Sequence, residues 1–226
     1  DTFVNEISDA SLVDAITTFN ENRNLLKKVY DLRMSDPPLI RGSEVLQAVI
    51  SSMTTPKEEH NILLGQLVDE IPNRADPPNR APRLHITGNP VYHTELFNLI
   101  EDLGGNIVSD DLSTGSRYFW DDIELVAGDD PLSSIARRYV YKVPSPYMTY
   151  FGKRFDRLAE MIKMYKVDGV IVHNFKFCAP HLGDFPILRK KLQMLGIPFV
   201  RVENDHSYGG IKRLTTSLEA FIELLR

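Results

Sequence analysis

The single cysteine of this 226-residue chain, Cys178, stands in Phe175-Lys176-Phe177-Cys178-Ala179-Pro180, a few residues beyond the apolar run Val170-Ile171-Val172. A thiol just past the carboxyl end of a buried strand lies where open α/β sheets place ligands and reactive groups. The residue type allows a blander reading too, because unpaired cysteine packs readily as a small core hydrophobe. The other apolar runs also end in polar groups. After the first come Thr87, Gly88 and Asn89; after the second, Ser109, Asp110 and Asp111; after the third, His173, Asn174, Lys176 and Cys178; after the fourth, Glu203, Asn204, Asp205 and His206. Four strand ends of one character point to a ligand crevice lined by Thr87, Gly88, Asn89, Asp110, Asp111, Asn174, Lys176, Glu203 and Asp205, although loops that carry only caps and turns are polar as well.

Asp110-Asp111 is followed by Ser113-Thr114-Gly115-Ser116-Arg117, which has the groups to position a substrate or bind an anion through Ser116, Arg117 and neighbouring hydroxyls. The same residue types cap helices, and the residues alone leave both readings open. Gly88 without further glycines is not a dinucleotide fingerprint, so no nicotinamide cofactor is expected. Tyr118-Phe119-Trp120 suits packing better than base stacking. His173 and His206 lack metal-ligand spacing and read as hydrogen-bonded structural histidines. As a nucleophile Cys178 would need a base and an orienting group that no spacing identifies. As an iron ligand it would need further thiolates, so this chain by itself cannot complete a four-iron cluster.

Two kinds of periodicity position these residues. Leu12, Ile16, Phe19, Leu26, Val29 and Tyr30 recur at helical spacing over residues 9–34, Val45, Leu46, Val49, Ile50 and Met53 follow Ser43, and Thr55-Pro56-Lys57-Glu58 reads as the capped start of a third helix running to about Ile71. Four prolines between Pro72 and Pro82 mark a linker. Beyond it strands and helices alternate: a strand over 83–87, a helix over 94–103, a strand at Ile107-Val108, helices from Asp130-Pro131 and over 153–165, a strand over 169–173, a helix over 186–195, a strand over 197–202 and a last helix over 214–225. Each parallel link must return across a face of the sheet. The expected fold is therefore α/β, with a helical segment of about three helices and a Pro-rich linker (residues 1–80) before a Rossmann-like, doubly wound parallel sheet of about four strands (residues 81–226). The apolar faces of the three helices need cover from the sheet, another domain or a second subunit, and self-association of the chain is an expectation.

A net charge of −5 and 42% hydrophobic residues describe a folded chain without a basic field for nucleic acid. No apolar run is long enough to span a membrane, no secretory signal opens the chain, and one cysteine forms no internal disulfide, so a cytoplasmic location is expected.

With these residues assembled, the chain resembles the 2-hydroxyacyl-CoA dehydratase D-component and benzoyl-CoA reductase family. The resemblance rests on Leu84-His-Ile-Thr-Gly-Asn-Pro90, the stretch from Asp110 to Asp121, Asp130-Pro131-Leu132, Ala136-Arg-Arg-Tyr139, Tyr165-Lys-Val-Asp-Gly-Val-Ile171, Lys176-Phe-Cys178, Gly196-Ile-Pro198 and Arg201-Val-Glu203, with Pro37-Pro38 and Gly42-Ser43-Glu44 in front. It implies part of an oxygen-sensitive enzyme subunit that carries a 4Fe–4S cluster and passes one low-potential electron to a CoA thioester. The ketyl-type radical so formed permits dehydration of a 2-hydroxyacyl group or, in the other branch, reduction of an aromatic ring. It also implies a related second subunit and an ATP-hydrolysing activator protein as electron donor. The family's last cluster cysteine falls on Cys178; the others belong to a preceding domain that this sequence does not contain. The chain alone is then expected neither to hold the cluster stably nor to turn over substrate. A cluster-free ligand-binding or assembly subunit is the alternative, and a thiol-dependent hydrolase the least favoured.

Overall fold

A computed structural model describes residues 7–148, 152–205 and 208–226. In chain order the elements are α1 (Asp9–Asp31), α2 (Gly42–Thr54), α3 (Lys57–Glu70), β1 (Arg83–Gly88), α4 (Glu95–Asp102), β2 (Asn106–Asp110), α5 (Ser116–Phe119), α6 (Pro131–Tyr141), α7 (Gly152–Met164), β3 (Gly169–Phe175), α8 (Ala179–Leu195), β4 (Phe199–Asn204) and α9 (Thr215–Leu224). The four strands form one parallel sheet in the order β2-β1-β3-β4. The chain leaves β1 for β2 on one side, then crosses back past β1 to β3. The strand order therefore reverses between β1 and β3, and a crevice opens at their carboxyl ends.

Both faces of the sheet are covered, so the strands read as near-continuous apolar runs. On one face Leu84, Ile86, Ile107, Ile171 and Val202 pack with Leu96, Phe97 and Ile100 of α4 and Leu218, Phe221 and Ile222 of α9. On the other, Val108, Val170 and Val172 meet Leu158, Met161 and Ile162 of α7 and Leu188 and Leu192 of α8. Leu26, Val29 and Tyr30 of α1, Val45 and Val49 of α2 and Leu64 of α3 belong to this same core. Each such side chain contributes about 1.5–3 kcal/mol on burial; α1 and α3 pack mainly on each other, and α2 rests on β2. α2 lies along the outer strand: a Cβ on Gly42 would stand 2.6 Å from Ile107 Cβ. That close approach shields an edge that would otherwise invite pairing with another chain.

Several local expectations are corrected. α8 begins at Ala179, not Pro186: Pro180 occupies the first turn, where a missing N–H costs nothing, and Pro186 lies inside the helix. Thr55 makes no side-chain cap, because Pro56 stands at the N-cap of α3. Phe19 and Met53 are about 40% and 39% exposed, and the Phe19 ring carries Arg23 and Lys57 over its face instead of entering the core. β4 is displaced two residues toward the carboxyl end, so Glu203 and Asn204 lie within the strand. Among the described residues no helix is long and apolar enough to cross a membrane.

Candidate functional site

The tips of β1 and β3 are joined at the switch point by one side chain. Gly88 has φ +124°, and a Cβ there would fall 1.9 Å from the His173 carbonyl oxygen, so no other residue lets the two backbones come this close. Next to it the Asn89 backbone N–H donates to His173 O at 2.9 Å. The Asn89 carboxamide then divides its work: Oδ1 accepts from Phe175 N at 2.9 Å and Nδ2 donates to Cys178 Sγ at 3.2 Å. His173 Nε2 meets Asn204 Oδ1 at 2.8 Å, and Lys176 N donates to Asn204 O at 2.8 Å, which ties β4 to the same corner.

Cys178 is the N-cap residue of the 17-residue α8 and is partly exposed. Phe177 before it has φ +65° and is 94% exposed. A left-handed backbone costs a bulky residue roughly 1–2 kcal/mol; it turns the phenyl ring outward while the adjacent sulfur meets Asn89. The Tyr147 hydroxyl approaches Sγ at 3.4 Å. Burial acts to raise the thiol, yet hydrogen bonds from Asn89, Tyr147 and the His181 backbone N–H outweigh it and hold the thiol below its ordinary value. The hydrogen bond to Cys178, with burial, raises the Tyr147 phenol. A helix N-terminus and convergent donors are the setting in which a thiolate persists.

Behind the sulfur lies a buried polar cluster from β1, β2, α5, α7 and α8. Arg117 donates to Asp111 Oδ2 at 2.9 Å, with their side chains 7% and 5% exposed. Burial alone would raise the Asp111 carboxyl, but Arg117, then His85, hold it well below the usual range. His85 bonds Ser109 Oγ through Nδ1 at 2.8 Å and turns Nε2 toward Asp111 Oδ1 at 3.9 Å. Arg154 of α7 pairs with Asp184 of α8. Burial, with the guanidiniums of Arg117 and Arg154 nearby, pushes His181 down to about 4. Thr87 Oγ1, Asn174 Oδ1 and Asp184 Oδ1 are buried without a hydrogen-bond partner in the protein, and Asp111 Oδ1 has only His85 Nε2 at 3.9 Å. A buried polar atom of this kind is ordinarily satisfied by an ordered water or a polar ligand.

The crevice residues expected from sequence thus separate. Asn89 and Cys178 are in contact, with Gly88 beside them, while Thr87, Asn174, Asp111 and Arg117 belong to the buried layer. Asp110 faces inward: it accepts from Tyr30 Oη at 2.5 Å and from Ser116 N at 2.8 Å, with Arg33 at 3.7 Å. Ser116 Oγ donates to Asp110 O at 2.6 Å, so this hydroxyl is engaged within the loop that leads into α5. Lys176 is exposed, Glu203 is half-buried with Arg201 at 3.2 Å, and Asp205 is half-buried beyond β4. His206 lies outside the described residues. Sequence reasoning does not single out Tyr147 or His181. Tyr147 comes from a proline-rich connection 31 residues away, whereas the Cys-x-x-His spacing across the first turn of α8 is a usable signal for His181.

Among the described residues no group of three or more His, Cys, Asp or Glu could hold a metal ion. The residues fit one corner of an iron-sulfur site: a thiol with a depressed pKa and three hydrogen-bond donors, not a full ligand set.

The family model for the 2-hydroxyglutaryl-CoA dehydratase D-component matches residues 1–225. The chain is 28% identical over 221 residues to the (R)-phenyllactyl-CoA dehydratase beta subunit of Clostridium sporogenes, covering 98% of this chain and 59% of that protein. It is 25% identical over 227 residues to a benzoyl-CoA reductase subunit of Thauera aromatica, covering 98% and 58%. For the (R)-2-hydroxyglutaryl-CoA dehydratase beta subunit of Acidaminococcus fermentans the identity is 25% over 225 residues, covering 97% and 59%. The chain therefore spans somewhat under three fifths of the length of these curated relatives. The match of the family model over nearly every residue leads to one assignment: the chain belongs to the 2-hydroxyglutaryl-CoA dehydratase D-component family.

Proposed function

We propose that Cys178 is one thiolate ligand of a 4Fe–4S cluster in the intact protein, and that the chain is the part of a CoA-thioester dehydratase or reductase subunit that carries this ligand at the crevice mouth. The observation that carries the reading is the convergence of Asn89 Nδ2, the Tyr147 hydroxyl and the His181 N–H on a partly exposed sulfur at the sheet's switch point. Donors to a ligating sulfur disperse its negative charge and tune the potential of the metal it binds. The remaining ligands come from outside the described residues. When bound, the cluster supplies a single low-potential electron to the thioester carbonyl, for loss of water from a 2-hydroxyacyl group or for ring reduction. The protein's own part is to lower the pKa of the Cys178 thiol, fix its position through Asn89 and place buried polar groups behind it. A related second subunit and an ATP-hydrolysing activator complete the system, in a cytoplasmic and oxygen-free setting. The beta-subunit names of the dehydratase relatives support the second subunit.

A cluster-free ligand-binding or assembly subunit is the second reading, favoured by the chain's having one cysteine. Alkylation footprinting separates the two. In the intact protein reconstituted anaerobically with iron and sulfide, Cys178 should resist iodoacetamide until a chelator strips the iron. Equal labelling before and after reconstitution, with iron bound, would remove Cys178 from the ligand set.

A further inference from the structure

A cavity of about 190 Å³ lies between the start of α5, the last turn of α6 and the strap that follows it. Ser113, Arg117 and Tyr118 line one side, Arg138, Tyr139 and Lys142 another, and Val143, Ser145 and Met148 the strap. Three cations and three hydroxyl-bearing side chains besides Ser145 meet there, and no carboxylate lines the walls. Arg138 is held rigidly, donating through Nε to Asp121 O and through Nη2 to Tyr118 O, both at 2.9 Å. Arg117 spends one nitrogen on Asp111, while its Nε and Nη1 are buried with no protein acceptor. Burial, then the like charges of Arg138 and Arg117, lowers the pKa of Lys142. The negative end of the α6 dipole accounts for cations in that helix's last turn. It does not account for Arg117, which a different element brings to the same walls.

We propose that this cavity binds the phosphate groups of the CoA thioester. The inference rests on the reading above and adds the place where that substrate is held. Its volume suits a phosphate or diphosphate group, well below what a whole drug-sized ligand needs, so the nucleoside would lie outside. The strap gives the connection: residues 142–148 line the cavity with Lys142, Val143, Ser145 and Met148 and also bring the Tyr147 hydroxyl to Cys178 Sγ. A thioester anchored by the phosphates of its CoA moiety is thereby led along one segment toward the sulfur.

Calorimetric titration of the 226-residue chain with coenzyme A and with inorganic pyrophosphate tests this without any metal. Both should bind, and Lys142→Glu should weaken both by about tenfold or more with an unchanged unfolding midpoint. Arg137→Glu, a reversal of a neighbouring cation outside this cavity, should leave affinity within about twofold. Should Lys142→Glu disturb folding, Ser145→Glu offers the same repulsion from the strap. Binding untouched by both reversals, or no binding of either ligand, would overturn the site. Pyrophosphate binding without coenzyme A binding would overturn the CoA assignment. Neither result bears on Cys178 as an iron ligand, which the footprint decides separately.

Discussion

Replacing Asn89 by alanine separates the two jobs of its carboxamide. Asn89 is 2% exposed, and its Oδ1 is the acceptor for the Phe175 N–H at 2.9 Å. An amide left without a partner at this half-buried position costs about 1–2 kcal/mol. For a domain of this size that is a fall of about 2–8 °C in the thermal midpoint. The same change deletes the Nδ2 donor at 3.2 Å from Cys178 Sγ, so the thiol pKa must rise and the thiolate fraction at neutral pH must drop. Cys178→Ala is the control, since it removes the sulfur and leaves the Phe175 hydrogen bond in place; its midpoint should stay near that of the parent chain. Thermal unfolding by circular dichroism reads the first effect, and iodoacetamide alkylation of Cys178 against pH reads the second. An unshifted midpoint with alanine at 89 would refute the clasp between β1 and β3. A pH profile that does not move upward would refute the account of the depressed thiol.

Three further outcomes follow from the same geometry. The fold keeps His181 neutral down to about 4 against an ordinary 6.5, so the unfolded chain binds this proton first; stability is full above 6.5 and falls as pH drops toward 4, by on the order of 2–3 kcal/mol. His181→Gln should flatten that window in urea unfolding curves taken from pH 7 to pH 4, and an identical slope would exclude His181 as its source. Gly88→Ala sets a Cβ 1.9 Å from the His173 carbonyl at φ +124° and should cost more than about 3 kcal/mol, seen as a lost or greatly lowered unfolding transition; a midpoint close to the parent's would contradict the close approach. Phe177→Gly should stabilise the chain or leave it neutral, because the relieved strain of about 1–2 kcal/mol offsets the flexibility added to the unfolded state, and differential scanning calorimetry would expose a clear loss if the left-handed turn were wrong.

Local pattern carries much of this fold and little of its contact chemistry. The four apolar runs and the helical repeats are one-dimensional signals, so the all-parallel sheet and the helices that wind about it can be read from spacing. Positions next to strand ends are legible for the same reason, which is how Asn89 and Cys178 stand out. Adjacent residues at a strand's end, however, point to opposite sides. Asp110 and Asp111 look alike in sequence, yet one meets Tyr30, 80 positions away, and the other Arg117. Proline misleads at α8: Pro186 reads as a helix start, whereas Pro180 fills that role, and the true start puts the sulfur on a helix N-terminus. Tyr147 carries no such signal, because the fold and no local pattern brings it to Cys178. The polar layer at His85, Arg154 and Asp184 is likewise a product of tertiary packing.

Electron paramagnetic resonance of the intact, anaerobically reconstituted and reduced protein tests the ligand assignment at its source. With Cys178 bound to iron, Cys178→Ser should shift the resonances of the reduced centre or abolish them, since an alkoxide is a harder donor than a thiolate. A spectrum and iron content identical to the parent's would show that the sulfur at the crevice mouth is not part of the centre.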